Sequence, residues 1–560
     1  MDNIYEALQW DLLRSSEEIL RLEAKLLLPR IGGYKARPFS ITLNLLEPPR
    51  ASEVKALWRW WLRAVLAGCY GGRKNYRELE SYIGDLLGST NNQSPFSVIV
   101  EFNPKEVARF HERGIKIYKL MECILNASLK FLKKCSIKGA RIDYVSLKPP
   151  FRVRFKINSS IRFKGVKDLQ ARLREELKKC LGIIPRLRII RRKRQAEVIF
   201  TDSSSLKTFL EKQGLLKEGI DPRLYDKIVK LSEIPRYTLL LQPRNELGES
   251  DKLTRSQDVF DSVKSYIERI TEELTLPDEL STRIIVLAKK HNSLRLDEKR
   301  LKLAISTLLL SLVLGGLGSI TRRAFGSITS LNIEYFDNSL NTEVELLKKL
   351  YQASSEEELK NCIEELINHC IELAREVYHV KELPQEGDLP IVPSLIMDKY
   401  FKLRIIECTE RNQLHLLNLI GHACLKQEWK IALGGRPTDP GEALHTWILG
   451  LPRSTKNTGY FVDSNKGRRP SAIHFKLLET RNGKTFIIIY GFLSKDWDVG
   501  KIIHKGSHHP QGKRVKSLKI AGGLRGLQNP PQKDDVFIRR VFEEAFNIVY
   551  KIIKDKCSRG

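Results

Sequence analysis

One stretch constrains the fold of this 560-residue chain more than any other. From about Arg300 to Leu314 it is almost continuously apolar, then meets Gly315-Gly316. That reads as a strongly apolar helix, stopped too early to span a bilayer, which takes about 20 residues. A loop follows, Gly315-Gly316-Leu317-Gly318-Ser319-Ile320-Thr321-Arg322-Arg323-Ala324-Phe325-Gly326-Ser327. Beyond it Leu331, Ile333 and Tyr335 alternate with Asn332 and Glu334, the period of a half-buried strand.

The same two periods recur upstream. Leu20, Leu22, Ala24, Leu26 and Leu28 mark a strand that runs into Pro29-Arg30-Ile31-Gly32-Gly33. Val54, Leu57, Trp58, Trp61, Leu62, Val65 and Leu66 mark a helix, with Ser52 as N-cap and Gly68 as its stop. Phe96, Val98, Val100 and Phe102 give a second strand; Phe151, Val153, Phe155 and Ile157 give a third, with Arg152, Arg154 and Lys156 on its other face. Residues 201–298 read as a mainly helical insertion. Without it the order is β-α-β-β-α-β, the ferredoxin-like order, which RRMs use to bind single-stranded RNA.

Residues 340–390 are acidic and helical, with Ser354 or Ser355 as N-cap and Glu357 or Glu358 closing a capping box. They open a second domain. Ala443 to Leu449 reads as a helix, followed by a loop from Gly450 to Pro470. Ile473, Phe475 and Leu477 form a strand with His474 and Lys476 on the other face, and Asn482-Gly483 turns it into a hairpin with Thr485 to Phe492. About Asp535 to Lys554 forms a C-terminal helix.

Charge narrows the partner. Lys and Arg total 96 against 67 Asp and Glu, a formal net charge of +29. Such an excess favours a polyanionic partner, with nucleic acid ahead of a membrane surface or an acidic protein. The excess is local. Residues 141–200 carry net +13, including Arg191-Arg192-Lys193-Arg194, and residues 451–520 carry net +11. The start of the chain is unlike a signal peptide and no membrane segment is visible, so an intracellular, cytoplasmic, soluble protein is expected. Nine scattered cysteines, odd in number and without C-x-x-C, argue against a disulfide framework and a zinc ribbon.

Three features carry candidate chemistry. In the glycine loop, backbone N–H groups and Arg322 and Arg323 suit phosphate, although the loop lacks a P-loop ending and reverses the Rossmann order. The alternative, ranked behind RNA contact, is a tight helix-to-strand connection with solvent-facing arginines. On the helix, Lys55, Arg59 and Arg63 form a one-sign stripe suited to phosphate, with Arg50 just before it. Trp58 reads evenly as a base-stacking or a core residue, and Trp61 reads as core. Cys362, His369, Cys370, His415, His422 and Cys424 match no standard zinc spacing and read as ordinary buried residues. His445, His474, His504, His508 and His509 are the candidates for a general base on a ribose 2′-OH, the rival chemistry. No metal or other cofactor is expected.

Together these motifs resemble the RAMP (repeat-associated mysterious protein) superfamily of CRISPR proteins, and within it the first-numbered Cmr subunits of type III-B effector complexes. The resemblance rests on Pro29 to Gly33, on EVKALWRWWLR from Glu53 to Arg63, on Leu87-Gly88-Ser89, and on GGLGSITRRAFGS. LGLPR at 449–453 and RRPSAIHF at 468–475 add to it. Ala324 stands where a glycine is expected. The resemblance implies an α+β chain of two tandem ferredoxin-like RAMP domains with helical insertions, 1–338 and 339–560. It implies a non-catalytic subunit that binds crRNA near its 3′ region, helps capture target RNA, and contacts other Cmr subunits. The expected RNA-binding set is Arg30, Gly32, Gly33, Arg50, Lys55, Trp58, Arg59, Arg63, Gly315, Gly316, Gly318, Ser319, Arg322, Arg323, Arg453, Arg468, Arg469 and His474. The rival is a metal-independent RAMP endoribonuclease that processes CRISPR RNA.

Overall fold

The computed structural model describes residues 16–27, 50–102, 140–146, 151–157, parts of 168–175, 186–190, 195–200, 279–289, 296–318, 321–381, 387–409, 413–434, 442–443, 445–451, 453–455, 458–462, 469–495, 502–506, 509–514, 519–520 and 534–557. Two compact units emerge. One comprises 1–36, 47–103 and 277–560; the other comprises 37–46 and 104–276.

The larger unit opens with β1 (Ser16–Leu27), α1 (Ala51–Cys69), α2 (Tyr76–Leu87) and β2 (Phe96–Phe102). The smaller unit supplies β3 (Ala140–Ser146), β4 (Phe151–Ile157), β5 (Arg186–Ile190) and β6 (Gln195–Phe200). The chain returns to the larger unit with β7 (Glu279–Lys289), α3 (Glu298–Leu314) and β8 (Ile328–Phe336). These strands form an antiparallel sheet in the order β2-β7-β1-β8. Helices α1 and α3 share its core.

The third strand of that sheet is therefore β7, not 151–157. Residues 279–289 had been expected inside a helical insertion. Their run Ile284-Ile285-Val286-Leu287 is buried throughout, so it shows no period of two. The strand 151–157 exists, as β4, but belongs to a separate antiparallel sheet, β3-β4-β6-β5.

Farther on come α4 (Asn341–Gln352), α5 (Glu356–Val377), β9 (Phe401–Cys408), α6 (Gln413–Ala423) and α7 (Lys426–Ala432). Ser355 caps α5, its Oγ accepting from Glu358 N at 3.1 Å, while the Glu358 carboxylate accepts from Ser354 N at 2.8 Å. Residues 443–449 are not an α-helix. Glu442–Ala443 is a short strand, β10, and Thr446–Leu449 is one 3-10 turn, because His445 between them takes a left-handed φ of 47°. The expected loop 450–470 contains two strands, β11 (Arg453–Thr455) and β12 (Thr458–Val462).

Then follow β13 (Ile473–Glu479), β14 (Thr485–Phe492), β15 (Ile502–Gly506), β16 (His509–Arg514), β17 (Lys519–Ile520) and α8 (Asp534–Cys557). β13 and β14 form the hairpin expected at Asn482-Gly483, and Gly483 takes a φ of 70°. With β9 they make the sheet β13-β14-β9, while β11-β12-β15-β16 forms another. Contrary to the expectation from cysteine count, Cys408 of β9 and Cys557 of α8 form a disulfide. Both lie in the core, and their sequence separation of 149 hides the pairing.

One hydrophobic core runs from β1 through α1, α3 and α5 to β9 and β14. At its centre Trp61 meets Tyr490 and Phe492, with ring centroids 5.7 and 5.9 Å apart. Among the described residues, no helix is long and apolar enough to cross a membrane.

Candidate nucleic-acid interface

The glycine loop is a tightly tied helix-to-strand connection. Gly316 bridges Ser327, and Leu317 N donates to Gly326 O at 2.9 Å. Gly326 takes a φ of +67°, and a Cβ there would lie 1.9 Å from Leu317 O, so no other residue fits. Ala324 shares that left-handed region at φ 67°. The position wanted a glycine for a conformational reason. Two turn hydrogen bonds hold it, Ala324 N to Thr321 O at 3.1 Å and Ser327 N to Ala324 O at 3.3 Å.

The loop's two arginines separate. Arg322 stays half-exposed. Arg323 is 3% exposed and points inward. Its Nη2 donates to Leu449 O at 2.6 Å, and its Nη1 to Ile473 O at 3.2 Å and Ser471 Oγ at 3.3 Å. The guanidinium lies 5.2 Å from the centre of the Phe475 ring. Expected at phosphate, Arg323 instead fastens the loop to β13 and to the 3-10 turn at Thr446–Leu449.

His474 joins the same interior. Its Nε2 donates to Ser471 O at 3.1 Å, and its Nδ1 lies 3.3 Å from the Tyr490 hydroxyl. Burial, helped by the Arg322 charge, holds it well below the usual histidine range, so it is neutral. It has no open face for RNA. Two residues on, on the same face of β13, Lys476 is buried as well. Its Nζ donates to Leu312 O at 2.9 Å and to Gly315 O at 2.5 Å, and Tyr490 Oη donates to Leu314 O at 2.6 Å. These are carbonyls of the last turn and the C-cap of α3, which the helix itself cannot satisfy. Burial drives the Lys476 pKa well down. Lys476 and Tyr490 were missed as site residues. The available signal was a polar residue on each strand of the β13–β14 hairpin, next to an apolar helix that lacks a basic residue in its last turn.

The basic stripe of α1 is likewise committed. Lys55 Nζ donates to Phe96 O at 3.0 Å; burial, with Lys289 nearby, lowers its pKa. Arg59 donates to Gly88 O at 2.5 Å and pairs with Glu80; Arg63 donates to the other Glu80 oxygen at 2.6 Å. The two arginines hold Glu80 below the usual carboxylate range, against the opposing effect of burial. The stripe has one sign on α1 because its counter-charge sits on α2. Trp58 is 1% exposed, and its Nε1 donates to Ala304 O at 2.8 Å and Thr307 Oγ1 at 3.1 Å. The structure thus decides for core packing over base stacking. Arg50 is the N-cap of α1, its backbone N donating to Glu53 at 3.4 Å. Stripe and loop lie on different sides of α1: Leu57, not the stripe, would lie 2.8 Å from a Cβ on Gly315.

Arg30, Gly32, Gly33, Ser319, Arg468 and His508 lie outside the described residues. Gly318 takes a φ of 94° within the loop. Arg469 is half-buried and bridges Leu451 through backbone hydrogen bonds of 2.8 and 3.2 Å. Arg453 opens β11 at the register position of Tyr460, which pairs with His504, which pairs with Lys513. His445 is buried, its Nδ1 accepting from Trp447 Nε1 at 2.9 Å. Burial, reinforced by Arg540, pushes it down to about 3. His369 lies 3.0 Å from the buried Glu343, and His422 lies 3.1 Å from Glu428. Among the described residues no group of three or more His, Cys, Asp or Glu is placed to hold a metal ion.

Comparison with known proteins places the chain. The RAMP superfamily model matches residues 50–329, half of the sequence. The CRISPR system CMR subunit Cmr1 of Saccharolobus solfataricus is 22% identical over 333 residues, 57% of this chain. The match spans 56% of that relative, little more than half its length. A chain of the type III-B Cmr-beta complex bound to cognate target RNA aligns over 95% of this chain and 100% of its own, at 17% identity and a TM-score of 0.45. Apo Cmr1 from Pyrococcus furiosus aligns over 90% of this chain and 94% of its own, at 12% identity and a TM-score of 0.35.

Proposed function

The chain belongs to the RAMP superfamily, and from that premise we propose that it is the Cmr1-like subunit of a type III-B CRISPR ribonucleoprotein. In this reading it is non-catalytic, binds crRNA near the 3′ region, helps capture target RNA and contacts other Cmr subunits. The supporting observation is that the matched stretch, 50–329, contains both the tryptophan helix and the glycine loop, in a chain of net charge +29. We read the chain as two ferredoxin-like RAMP domains, 1–338 and 339–560, that share one core. Base pairing between guide and target would supply specificity, and the protein would grip the backbone.

The geometry narrows the contact set. Trp58, Arg323 and His474 support the fold from inside, and Lys55, Arg59 and Arg63 tie α1 to its neighbours. Arg322, Arg453 and Arg469 remain the candidates of the larger unit. The test is a titration of purified chain with labelled single-stranded RNA, without metal, over a salt series. The expected result is binding that weakens with salt and leaves the RNA intact. Absence of binding contradicts the reading; metal-free cleavage replaces it with the endoribonuclease.

A further inference from the structure

The smaller unit contains a sheet whose two faces differ in charge. In β4, Phe151, Val153, Phe155 and Ile157 alternate with Arg152, Arg154 and Lys156. The pairing of its neighbours extends both rows. Val153 is opposite Val145 on β3 and Val198 on β6, and Val198 is opposite Leu187 on β5. Phe155 is opposite Ile142 and Ala196, and Ala196 is opposite Ile189. One face is therefore apolar across all four strands.

The other face carries cations on β3, β4 and β5, while β6 contributes Gln195, Glu197 and Ile199 to it. Arg152 is opposite Ser146 and Ile199, and Ile199 is opposite Arg186. Arg154 is opposite Tyr144 and Glu197, and Glu197 is opposite Arg188. Lys156 is opposite Arg141. Six cationic positions thus share a face with one register-paired carboxylate, Glu197. Asp143 is the extra residue of the bulge between Ile142 and Tyr144.

An antiparallel sheet with one apolar face commonly packs that face and gives the other to water. Cations two residues apart on a strand are about 7 Å apart, and neighbouring strands are about 4.8 Å apart. Both spacings are shorter than the Debye length of about 10 Å at 0.1 M salt, so the fields add. Like charges directly opposite each other, as at Arg141 and Lys156, weaken a sheet on their own. A polyanion lying across the face removes that cost. The one aromatic position of the row, Tyr144, is at the register position of Arg154, and an aromatic residue on such a face suits an unstacked base.

We propose that this basic face of β3-β4-β6-β5 is a second RNA-binding surface, which takes single-stranded RNA by its phosphates. It rests on the RNA-binding reading above and adds a site outside the glycine loop and its helix. The test uses the full chain carrying Arg152→Gln, Arg154→Gln and Arg188→Gln together, with Arg→Lys at the same positions as the charge-keeping control. The probe is labelled single-stranded RNA of mixed sequence, titrated over a salt series, with thermal melting to verify folding. For single strands each phosphate contact contributes about 0.7 to the slope of log affinity against log salt. The Gln variant is expected to lose about 2 from that slope and about tenfold or more in affinity at ~0.1 M salt. The Lys variant is expected to keep both. If the parent chain binds and the folded Gln variant keeps slope and affinity, this face is not the site, and an acidic protein becomes its candidate partner. If Gln and Lys variants lose binding equally, geometry rather than charge is responsible and the proposal fails. If the parent chain does not bind, the reading of the whole chain falls first.

Discussion

Two groups of basic residues look alike in the sequence and differ in the structure. Arg323 lies in the glycine loop beside Arg322, and His474 and Lys476 lie on a strand of the cationic 451–520 region. All three are buried, and they satisfy backbone carbonyls of Leu449, Ile473, Ser471, Leu312 and Gly315. The cations of β3-β4-β6-β5 occupy one face of a sheet whose opposite face is apolar. The first group holds the fold by hydrogen bonds in a dry interior; the second shares one face of a sheet, the face proposed above to take RNA. A basic residue therefore reports a polyanion only when its own neighbours leave its charge unspent.

The largest expected effect falls on the first group. Arg323→Ala strands several buried acceptors and should cost about 4 kcal/mol, at about 1–3 kcal/mol for each unsatisfied group. Denaturant melts measure the cost. A stable Arg323→Ala with weakened RNA binding would break the comparison by moving Arg323 to the second group. Lys476→Met keeps the apolar stem and leaves Leu312 O and Gly315 O unpaired, for an expected loss of about 2–3 kcal/mol in the same assay. The two losses should be less than additive, because both residues join α3 and its loop to β13.

Acid should act through the interior as well. His445, pushed to about 3, and His474, held well below its ordinary value, stay neutral in the fold while their unfolded counterparts titrate near 6.5. The unfolded chain then binds more protons, so their contribution is complete above about pH 6.5 and falls as the pH drops toward the folded pKa values. Each histidine should add about 1.4 kcal/mol of lost stability per pH unit in that window. Melts of His445→Asn between pH 7 and 4 should show the shallower dependence; an unchanged slope would show that His445 ionises freely in the fold. The smallest effect belongs to Ala324. At φ 67° it carries left-handed strain, so Ala324→Gly should gain about 0.5–1 kcal/mol, read as a raised Tm.

Much of the frame was legible because its signals are local. The periods of two and 3.6 marked β1, α1, β2, β4 and α3, and Ser355, Asn482-Gly483 and the α8 run marked a cap, a hairpin and a helix. The failures share a physical cause: pairing at a distance. β7 is buried on both faces, so its run did not alternate, and β4 looked like its substitute. The one-sign stripe of Lys55, Arg59 and Arg63 hid its counter-charge, Glu80, on another helix. Cys408 and Cys557 are distant in sequence and adjacent in space. The odd alanine at position 324 was legible as an anomaly, and only its φ gave the reason.

The most direct test is a residue-resolved map of ultraviolet crosslinks between the full chain and labelled single-stranded RNA. Crosslinks are expected within 141–190, at Tyr144 above all, and around Arg322, Arg453 and Arg469, with none at Trp58, His474 or Lys476. Crosslinks at Trp58 or His474 with 141–190 empty would contradict the division between inward and outward charge.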